Sequence, residues 1–448
     1  MKCLLRLFCI WFTKILGFFC RLTGHNGTNA AGKIVVRLYP EILTDLSKQV
    51  REKIIVVCGT NGKTTTNNLI FKTLSDSGKK VVCNNLGANM IEGVIVAFIS
   101  KANIFGRLDA DFASIEIDEG YAVRVFDYLK PDIVVLTNLF RDQLDRYGEI
   151  DITAEKLDSA FKKLDNTIIL TNADDPLCIQ FCKKEKLPFK FYGIDCDLSM
   201  QSDETKEGRF CPVCGTQLEY KRYYYSQLGI YSCTNCDFTR PKPDFEATDI
   251  SFENGLEFNI GKKRISLNYR GLYNVYNVLA AYSIFSICGL DTDKFSDILS
   301  TYKPQVGRME EFHINGKTVV LNLSKNPAGF NQAISTVLLD QSLKDAVIVI
   351  NDGLQDGTDV SWLWDVDFER LSDKTVKSII TSGIRCRDMY LRLKYSDMDN
   401  IDCTPDVKAA IKELLKTDNP VLYLLVNYTA LFSTHKILAE LSESEVTK

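Results

Sequence analysis

Val56-Val57-Cys58-Gly59-Thr60-Asn61-Gly62-Lys63-Thr64-Thr65-Thr66 is the stretch of the chain that decides the fold. It runs from a β-branched segment typical of a buried strand into a glycine turn, and apolar residues then recur at helical spacing from Leu69 to Leu74. A helix that begins directly after such a turn presents unpaired backbone N–H groups and the positive end of its dipole to an anion. We therefore interpret the stretch as a phosphate-binding loop and as the nucleotide site.

Individual residues of this loop suit a nucleotide site. Lys63 would place a positive charge at the β- and γ-phosphates of ATP, and the Thr64 hydroxyl would be a ligand for Mg²⁺. The predicted nucleotide-binding residues are Gly59, Thr60, Asn61, Gly62, Lys63, Thr64 and Thr65. The general Walker pattern has a glycine where this chain has Val57, so the loop is a narrower variant. The alternative interpretation is an ordinary strand-to-helix turn with a surface lysine.

Length, composition and charge limit the classes of protein to which the chain can belong. At 448 residues the chain is too long for one ordinary hydrophobic core, so we expect two or three domains. Its 45% hydrophobic residues and formal net charge of −4 describe a globular protein without the basic excess that favours nucleic acid, and we predict no nucleic-acid partner. The 15 cysteines lie mostly in apolar runs, which indicates a reducing compartment and a cytoplasmic protein.

The N-terminal segment Met1–Leu22 is rich in Leu, Phe, Ile and Trp, but Arg6 and Lys14 interrupt it. It predicts an amphipathic helix that does not span a membrane. Two interpretations stay open: the helix packs on the body of the protein, or it rests on the inner face of the cell membrane. His25–Lys33 is interpreted as a linker, and Val36–Val50 as a helix.

Short apolar runs then alternate with longer amphipathic segments, which predicts parallel sheets covered by helices, an α/β fold. The predicted strands of the first sheet are Ile54–Val57, Lys80–Cys83, Phe112–Ile117, Ile133–Thr137, Thr167–Leu170 and Lys190–Tyr192. A second α/β pattern begins at about Thr318, with strands Val319–Asn322 and Val347–Asn351. In such folds ligands bind at the carboxyl ends of the strands.

Three carboxylates lie at the end of the predicted strand Phe112–Ile117: Glu116 in the strand, and Asp118 and Glu119 directly after it. A carboxylate at a strand end beside a phosphate loop is the usual ligand for Mg²⁺, and we assign that role to Glu116. Mg²⁺ takes only one or two protein carboxylates, so we expect at least one of Asp118 and Glu119 to lie in a solvated loop.

Two Cys-x-x-Cys pairs, Cys211 with Cys214 and Cys233 with Cys236, flank a tyrosine-rich hairpin. Four thiolates at this spacing predict a closed tetrahedral Zn²⁺ site that stabilises a segment too small for its own core. With no ligand position left open, the predicted role is structural. Zinc ribbons also bind nucleic acid, but the tyrosines of this hairpin can equally pack it.

The loop heptad Gly59–Thr65 resembles the ATP loop of the Mur ligase family, which builds peptidoglycan precursors, and of its folylpolyglutamate synthetase relatives. The strand that contains Glu116 resembles the magnesium-binding strand of the family. Thr137–Gly148 is similar to the family's Thr-Asn…Asp-His-Leu-Asp segment, with Gln143 in place of the histidine, which argues against a second metal site. Asn172–Pro176 is similar to its Asn-x-Asp-Asp-Pro turn.

Two further segments carry the resemblance towards the C-terminus. Gly271–Ala281 resembles the family's Gly-x-x-Asn-x-x-Asn-x-x-Ala-Ala helix, which implies that Asn274 meets the adenine ring. Pro304–Glu310 is similar to its Gly-Arg loop, which implies that Arg308 reaches nucleotide phosphate across a domain boundary.

The C-terminal region departs from the amino-acid-adding Mur ligases. Their Asp-x-Ala-His-Asn-Pro loop is replaced by Asn322-Leu323-Ser324-Lys325-Asn326-Pro327, and the chain carries Asn351–Trp364, a segment with three aspartates beside glycines. Both features resemble the branch of the family that amidates lipid II. The alternative enzyme is an amino-acid-adding or folylpolyglutamate-type ligase. Two other classes of protein are disfavoured. A GTPase would need guanine-reading motifs that the sequence lacks, and a zinc-ribbon nucleic-acid binder would need a basic face.

The resemblance implies a reaction and a partner. ATP phosphorylates the D-glutamate α-carboxylate of lipid II, and ammonia then displaces phosphate to give D-isoglutamine. A GatD-type glutamine amidotransferase subunit is expected to supply the ammonia, because the chain's three histidines lie in no glutaminase motif. Lys63 and Glu116 are the expected catalytic residues, with Asp356 as a third that orients the partner's catalytic histidine or acts at the synthetase centre.

The predicted architecture has three parts. An N-terminal amphipathic segment and linker covers 1–45, a central ATP-binding domain covers 46–302 with the ribbon inserted at about 205–242, and a C-terminal Mur ligase-like α/β domain covers 303–448.

Overall fold

Helices and strands alternate along the chain in the computed structural model, which describes residues 2–22, 28–84, 88–142, 149–198, 207–253, 255–267, 271–302, 306–353 and 355–446. The elements up to the hairpin are α1 (Lys2–Leu22), α2 (Thr28–Leu38), α3 (Ile42–Ser47), β1 (Lys53–Cys58), α4 (Lys63–Asp76), β2 (Val81–Cys83), α5 (Ile91–Lys101), β3 (Phe112–Glu116), α6 (Ala122–Val125), β4 (Ile133–Leu136), α7 (Ile150–Phe161), β5 (Ile168–Asn172), α8 (Pro176–Lys184), β6 (Phe189–Ile194), β7 (Leu218–Tyr225) and β8 (Leu228–Cys233).

The remaining elements are β9 (Phe245–Ser251), β10 (Leu256–Ile260), β11 (Lys263–Leu267), α9 (Tyr273–Ile287), α10 (Phe295–Ser300), β12 (Arg308–Ile314), β13 (Lys317–Leu323), α11 (Pro327–Leu339), β14 (Lys344–Val349), β15 (Val376–Ser382), α12 (Cys386–Lys394), β16 (Ile401–Cys403), α13 (Val407–Leu414), β17 (Val421–Val426) and α14 (Tyr428–Val446). Short 3₁₀ turns cover Thr292–Lys294, Ser361–Asp365 and Phe368–Leu371.

The described strands form two large sheets and one hairpin. The first sheet has the order β11-β10-β9-β6-β5-β4-β1-β3-β2 and is parallel from β9 to β2, with β10 and β11 added antiparallel. The second has the order β12-β13-β17-β14-β15-β16, and only its edge strand β12 is antiparallel. The predicted α/β class is therefore confirmed.

Alternation along β1 shows how the first sheet buries both faces. Ile54, Val56 and Cys58 join one hydrophobic cluster, whereas Ile55 and Val57 join the cluster on the opposite face. Since successive side chains of a strand point to opposite faces, a run without polar residues needs helices on both sides. β1 lies between β4 and β3, so the loop that follows it emerges at an interior strand, the third from the β2 edge of the sheet.

The N-terminal region differs from the prediction in two places. The predicted helix Val36–Val50 is wrong, because α2 ends at Leu38 and α3 begins at Ile42. Pro40 lies in the break, where it lacks an N–H donor and disfavours helical geometry at the preceding residue. The predicted linker is also partly wrong, since α2 begins at Thr28.

Both α1 and α2 pack on the body of the protein. Cys9 and Ile10 of α1 and Val35 of α2 join the hydrophobic cluster on one face of the first sheet. None of the helices that the structure describes combines the length and the apolar character needed to cross a bilayer.

Candidate active site

The phosphate-binding loop connects β1, an interior strand of the first sheet, to α4. Gly62 is the residue before the first turn of α4, and no side chain caps this helix. The N–H groups of the first turn therefore lack a side-chain acceptor, as expected of an anion site. Thr64 lies half-buried in that turn, where its hydroxyl suits a magnesium ligand.

Two glycines of the loop have positive φ and no room for a side chain. A Cβ atom on Gly59, whose φ is 118°, would lie 2.4 Å from Thr137 Oγ1. A Cβ atom on Gly62, whose φ is 81°, would lie 2.3 Å from Asn277 Oδ1. The loop is thus held between the end of β4 and helix α9, with glycine required at both contacts.

The end of β4 fixes the backbone of the loop by hydrogen bonds. The Asn61 N–H donates to Asn138 Oδ1 at 2.9 Å, and the Asn61 carbonyl accepts from Thr137 Oγ1 at 2.8 Å. The Thr60 hydroxyl exchanges hydrogen bonds with the backbone of Phe140 at 3.0 and 3.1 Å. The Thr-Asn motif therefore shapes the phosphate loop. Gln143, which follows it, lies outside the described residues.

Lys63 is buried in an ion pair. Its Nζ lies 2.9 Å from Glu119 Oε2 and also donates to the carbonyls of Gly59 and Thr60, at 2.5 and 3.1 Å. Burial disfavours the charged amine, but the Coulombic attraction of Glu119 and of the neighbouring carboxylates outweighs it and raises the pKa of Lys63. The alternative interpretation of a surface lysine in an ordinary turn is therefore wrong, because Lys63 is buried and ion-paired.

The acidic strand end is entirely buried. Glu116, Asp118 and Glu119 are each exposed by 3% or less, so the expectation that Asp118 or Glu119 lies in a solvated loop is wrong. Glu116 pairs in register with Val57 of β1, and its carboxylate accepts from Asn89 Nδ2 at 3.2 Å. Burial raises the pKa of Glu119, and the charge of Lys63 opposes the rise.

Helix α9 meets the start of α4 through two asparagines. Asn277 Oδ1 accepts from the Thr66 hydroxyl at 3.2 Å, and Asn277 Nδ2 donates to Asn274 Oδ1 at 3.3 Å. Both asparagines are buried. The sequence motif contained both of them, but Asn277, which directly contacts the phosphate-loop helix, was missed as a site residue.

Arg308 lies beside the start of α9. Burial raises the pKa of Tyr273, the first residue of α9, and the positive charge of Arg308 opposes this rise. Arg308 begins β12 and is half-buried. The first strand of the second sheet thus brings a guanidinium close enough to the start of α9 for its charge to act on Tyr273.

The loop between β13 and α11 brings the second sheet onto the phosphate loop. Asn326 Nδ2 donates to Asn61 Oδ1 at 3.0 Å, and Asn61 Nδ2 lies 3.4 Å from Asn326 Oδ1. Lys325 Nζ lies 2.6 Å from Asp142 Oδ2, and its charge also acts on Glu119. Lys325 stands where the resembled loop has histidine. None of these contacts was predicted.

The four predicted zinc ligands converge. The Sγ atoms of Cys211, Cys214, Cys233 and Cys236 all lie within 4.8 Å of one another. The Cys211–Cys236 and Cys214–Cys233 sulfur distances are 3.6 and 3.5 Å, close to the roughly 3.8 Å between sulfurs that each bind a tetrahedral zinc at about 2.3 Å. The donor set therefore fits a closed Zn²⁺ site.

The hairpin beside the cysteines is fastened to the first sheet. The hydroxyls of Tyr224 and Tyr231 donate to the carbonyls of Ile194 and Ala173, at 2.7 and 3.2 Å. Both tyrosines are buried, so they pack the hairpin rather than form an exposed aromatic surface.

Asp356 lies far from these groups along the chain and is buried against the start of α14. Its carboxylate accepts from the Thr429 N–H at 2.9 Å and from the Thr429 hydroxyl. Burial raises the pKa of Asp356, and the hydrogen bonds from Thr429 oppose the rise. Tyr428 and Phe432 of the same helix are exposed. Asp356 is therefore a structural anchor of α14 next to an exposed aromatic surface.

Two protein-family descriptions match the chain. Residues 57–285 match the Mur ligase middle domain, and residues 323–431 match the MurT ligase C-terminal region. The matches cover the phosphate loop, the buried carboxylates, the cysteine insertion and the strands β14 to β17 of the second sheet.

Three relatives at 33 to 36% identity are named as subunits of one enzyme. The MurT subunit of lipid II isoglutaminyl synthase (glutamine-hydrolysing) from Staphylococcus aureus (strain COL) is 36% identical over 85% of this chain and 85% of its own length. The subunit of that name from Streptococcus pneumoniae (strain ATCC BAA-255 / R6) is 33% identical over 92% and 93% of the two chains.

Solved structures share the fold. A pseudomurein peptide ligase type C from Methanothermus fervidus superposes with a TM-score of 0.71 at 24% identity, covering 91% of this chain and 84% of that one. The MurF ligase from Thermotoga maritima superposes with a TM-score of 0.66 at 15% identity, covering 93% and 85%.

The contact between Gly62 and Asn277 leads to a prediction. Gly62 and Gly78 have φ values of 81° and 82°, so replacing either by alanine costs about 1 kcal/mol in backbone strain. At Gly78 an added Cβ atom meets nothing within 4 Å, whereas at Gly62 it meets Asn277. We expect Gly62→Ala to weaken ATP binding by at least about tenfold and Gly78→Ala to leave it unchanged.

Nucleotide titration of both variants, with thermal unfolding as a check on the fold, measures this difference. Equal affinities in the two variants would show that the close approach at Gly62 does not position the loop.

Proposed function

Because this chain belongs to the MurT branch of the Mur ligase family, we propose that it is the synthetase subunit of an enzyme that converts the D-glutamate of lipid II to D-isoglutamine. Membership makes it an ATP-dependent ligase of peptidoglycan synthesis. Beyond family membership, the proposal specifies the nitrogen donor, the reaction intermediate and the residues that take part.

ATP and Mg²⁺ fit the loop region. Phosphates suit the space beside Gly59 and Gly62, which side chains at these positions would fill. They also suit the uncapped start of α4. Thr64 and Glu116 offer the hydroxyl and carboxylate oxygens that Mg²⁺ prefers, and Asn274 and Arg308 would bind adenine and phosphate. Mg²⁺ would neutralise charge on the phosphates. Lys63, now paired with Glu119, would turn towards the transferred phosphoryl group.

The proposed chemistry has two steps. An oxygen of the D-glutamate α-carboxylate attacks the γ-phosphorus of ATP, the bond to the β-phosphate oxygen breaks, and ADP leaves. The nitrogen of ammonia then attacks the carbonyl carbon of the acyl phosphate, phosphate leaves with the bonding electron pair, and the nitrogen loses a proton to give the amide.

The loop between β13 and α11 is the observation that supports ammonia, rather than an amino acid, as the nitrogen donor. It reaches the phosphate loop through Asn326 and Asn61, yet it lacks the aspartate and histidine of the resembled amino-acid-adding ligases. The relatives' names describe a glutamine-hydrolysing enzyme, and a GatD-type partner would supply its ammonia.

The remaining assignments belong to the same proposal. Residues 46–302 would bind ATP and residues 303–448 would close over it, with 1–45 as an N-terminal segment. ATP as substrate indicates the cytoplasm, and a lipid-linked acceptor indicates the inner face of the cell membrane.

The reaction itself is tested with lipid II, ATP and an ammonium salt. Lys63→Ala alone would leave Glu119 charged, buried and unpaired, a change that typically costs about 3 kcal/mol or more. The double variant Lys63→Ala/Glu119→Gln removes that charge as well, so we expect it to fold but to form amide at least about a hundredfold more slowly.

Lys72→Ala is the matched control, because Lys72 lies on the same helix and pairs only at the surface with Asp76. In both the wild type and the control, we expect one ADP to form for each amidated lipid II when the two products are measured together. Undiminished amidation by a folded double variant would remove the loop from the mechanism.

Zinc binding gives a second test. Protein prepared without chelator should contain about one zinc per chain, and Cys233→Ser should lose the metal and lower the unfolding temperature. Cys403→Ser, which alters an exposed cysteine of the C-terminal region, serves as control. Less than half an equivalent of zinc, with unchanged stability of Cys233→Ser, would reject the site.

Asp356 separates the two activities of the proposed complex. If its carboxylate orients the catalytic histidine of the partner, Asp356→Asn should lower glutamine-driven amidation by at least about tenfold and leave ammonium-driven amidation largely intact. Asp359→Asn, in an exposed part of the same segment, is the control. Thermal unfolding shows whether the contact with Thr429 survives.

Other outcomes reassign the residue. Loss of both activities in a folded variant would place Asp356 at the synthetase centre. Loss of neither would leave it as the anchor of α14.

A further inference from the structure

Helix α1 has two faces of opposite character. Its inner face buries Cys9, Ile10 and Thr13 against the body of the protein. Its outer face exposes six large apolar side chains at intervals of three and four residues: Leu4, Phe8, Trp11, Ile15, Phe18 and Phe19. With 3.6 residues per turn, these six form one stripe along the helix. We call this stripe the outer face of α1.

The loop after α5 extends this apolar surface. Ile104 and Phe105 are 55% and 67% exposed. The Trp11 indole N–H donates to the Ile104 carbonyl at 2.8 Å, and the Arg6 guanidinium donates to the Gly106 carbonyl at 2.7 Å. These bonds attach the loop to α1, so the apolar surface belongs to a fixed part of the fold.

Charge indicates what the surface fits. Residues 1–40 contain six basic residues (Lys2, Arg6, Lys14, Arg21, Lys33 and Arg37) and no aspartate or glutamate. The remaining residues contain 48 lysines and arginines against 58 aspartates and glutamates. The N-terminal segment thus combines exposed apolar side chains with positive charge. This combination is complementary to a surface that has anionic groups outside and an apolar interior.

Helix α2 repeats this combination. Its exposed positions include Ile34 and Leu38, which are apolar, and Lys33 and Arg37, which are basic. Helices that lie in the plane of a membrane interface have aromatic and aliphatic side chains in the acyl boundary and basic side chains at the lipid headgroups. Aromatic rings such as those of Phe8 and Trp11 are favoured at that depth.

We propose that the outer face of α1, with Ile104, Phe105 and the basic residues of α2, docks the chain on an anionic lipid bilayer without spanning it. The inference deepens the proposed function and rests on it in one respect: a lipid-linked acceptor would then be met at the surface that holds the enzyme. Docking itself depends only on the exposed side chains and their charge.

Sedimentation of the full chain with vesicles tests the proposal. Wild-type protein should bind vesicles that contain phosphatidylglycerol, bind pure phosphatidylcholine vesicles more weakly, and lose affinity as salt increases. Phe8→Asp/Ile15→Asp should bind at least about tenfold more weakly, because two apolar side chains no longer enter the interface. Ile384→Asp, at an exposed apolar residue outside the N-terminal helices, should bind as the wild type does.

A second variant covers the case in which α1 fails to pack. Lys33→Glu/Arg37→Glu leaves α1 unaltered and should weaken binding to anionic vesicles at least about thirtyfold, since each basic residue near an anionic surface contributes about 1 kcal/mol. Thermal unfolding of each variant confirms the fold.

The alternative occupants are outcomes of the same experiment. Wild-type protein that stays in the supernatant with every vesicle overturns the proposal, as does undiminished binding by the two double variants. A wild-type dimer that Phe8→Asp/Ile15→Asp converts to monomer, without vesicle binding, would assign the face to a second copy of the chain.

A soluble muramoyl peptide without the lipid separates this inference from the proposed reaction. Equal amidation of that peptide by the wild type and by Phe8→Asp/Ile15→Asp, with vesicle binding lost only in the variant, supports both. No amidation of either lipid II or that peptide by the wild type, with vesicle binding intact, would count against the reaction and leave the docking surface in place.

Discussion

The uncapped N-terminus of α4 is the constraint on which the candidate site depends. A helix end without a side-chain cap leaves N–H groups for an anion, but it also leaves the preceding turn without internal support. The neighbouring elements supply that support. Thr137 and Asn138 hold the Asn61 backbone from the end of β4, and Asn277 approaches Gly62 from α9. The anion site is therefore preformed by its neighbours, with its own donors left unused.

The buried ion pair of Lys63 and Glu119 follows from the same geometry. A lysine one residue into α4 points into the sheet end, where burial would disfavour its charge unless a carboxylate lay beside it. The acidic end of β3 supplies that carboxylate because β3 is paired directly with β1. Replacing a buried ion pair by well-packed apolar residues is often neutral for stability, so stability alone does not require this pair.

The local parts of the site could be predicted from the sequence. The phosphate loop, the strands around it and the four-cysteine cluster depend on patterns within about 25 residues, where spacing and residue type carry the information. The break at Pro40 could also have been found, because proline disfavours a continuous helix. The contact between Asn61 and Asn326 could not be predicted from the sequence. It joins residues 265 positions apart and depends on how the two sheets meet. Burial of Asp118 and Glu119 was missed for a related reason: a run of carboxylates is typical of a solvated loop unless a cation is known to lie opposite.

The second sheet changes the charge balance around Glu119. Lys63 and Lys325 both act on this carboxylate, one from the phosphate loop and one from the loop before α11. If Lys63 turns towards ATP, as the proposed reaction requires, Glu119 loses its nearest cation while it stays buried. Lys325, already held 2.6 Å from Asp142, remains to offset the charge. Binding of nucleotide and docking of the second sheet would then favour each other, because the cation that ATP draws away is replaced only while the two sheets are together.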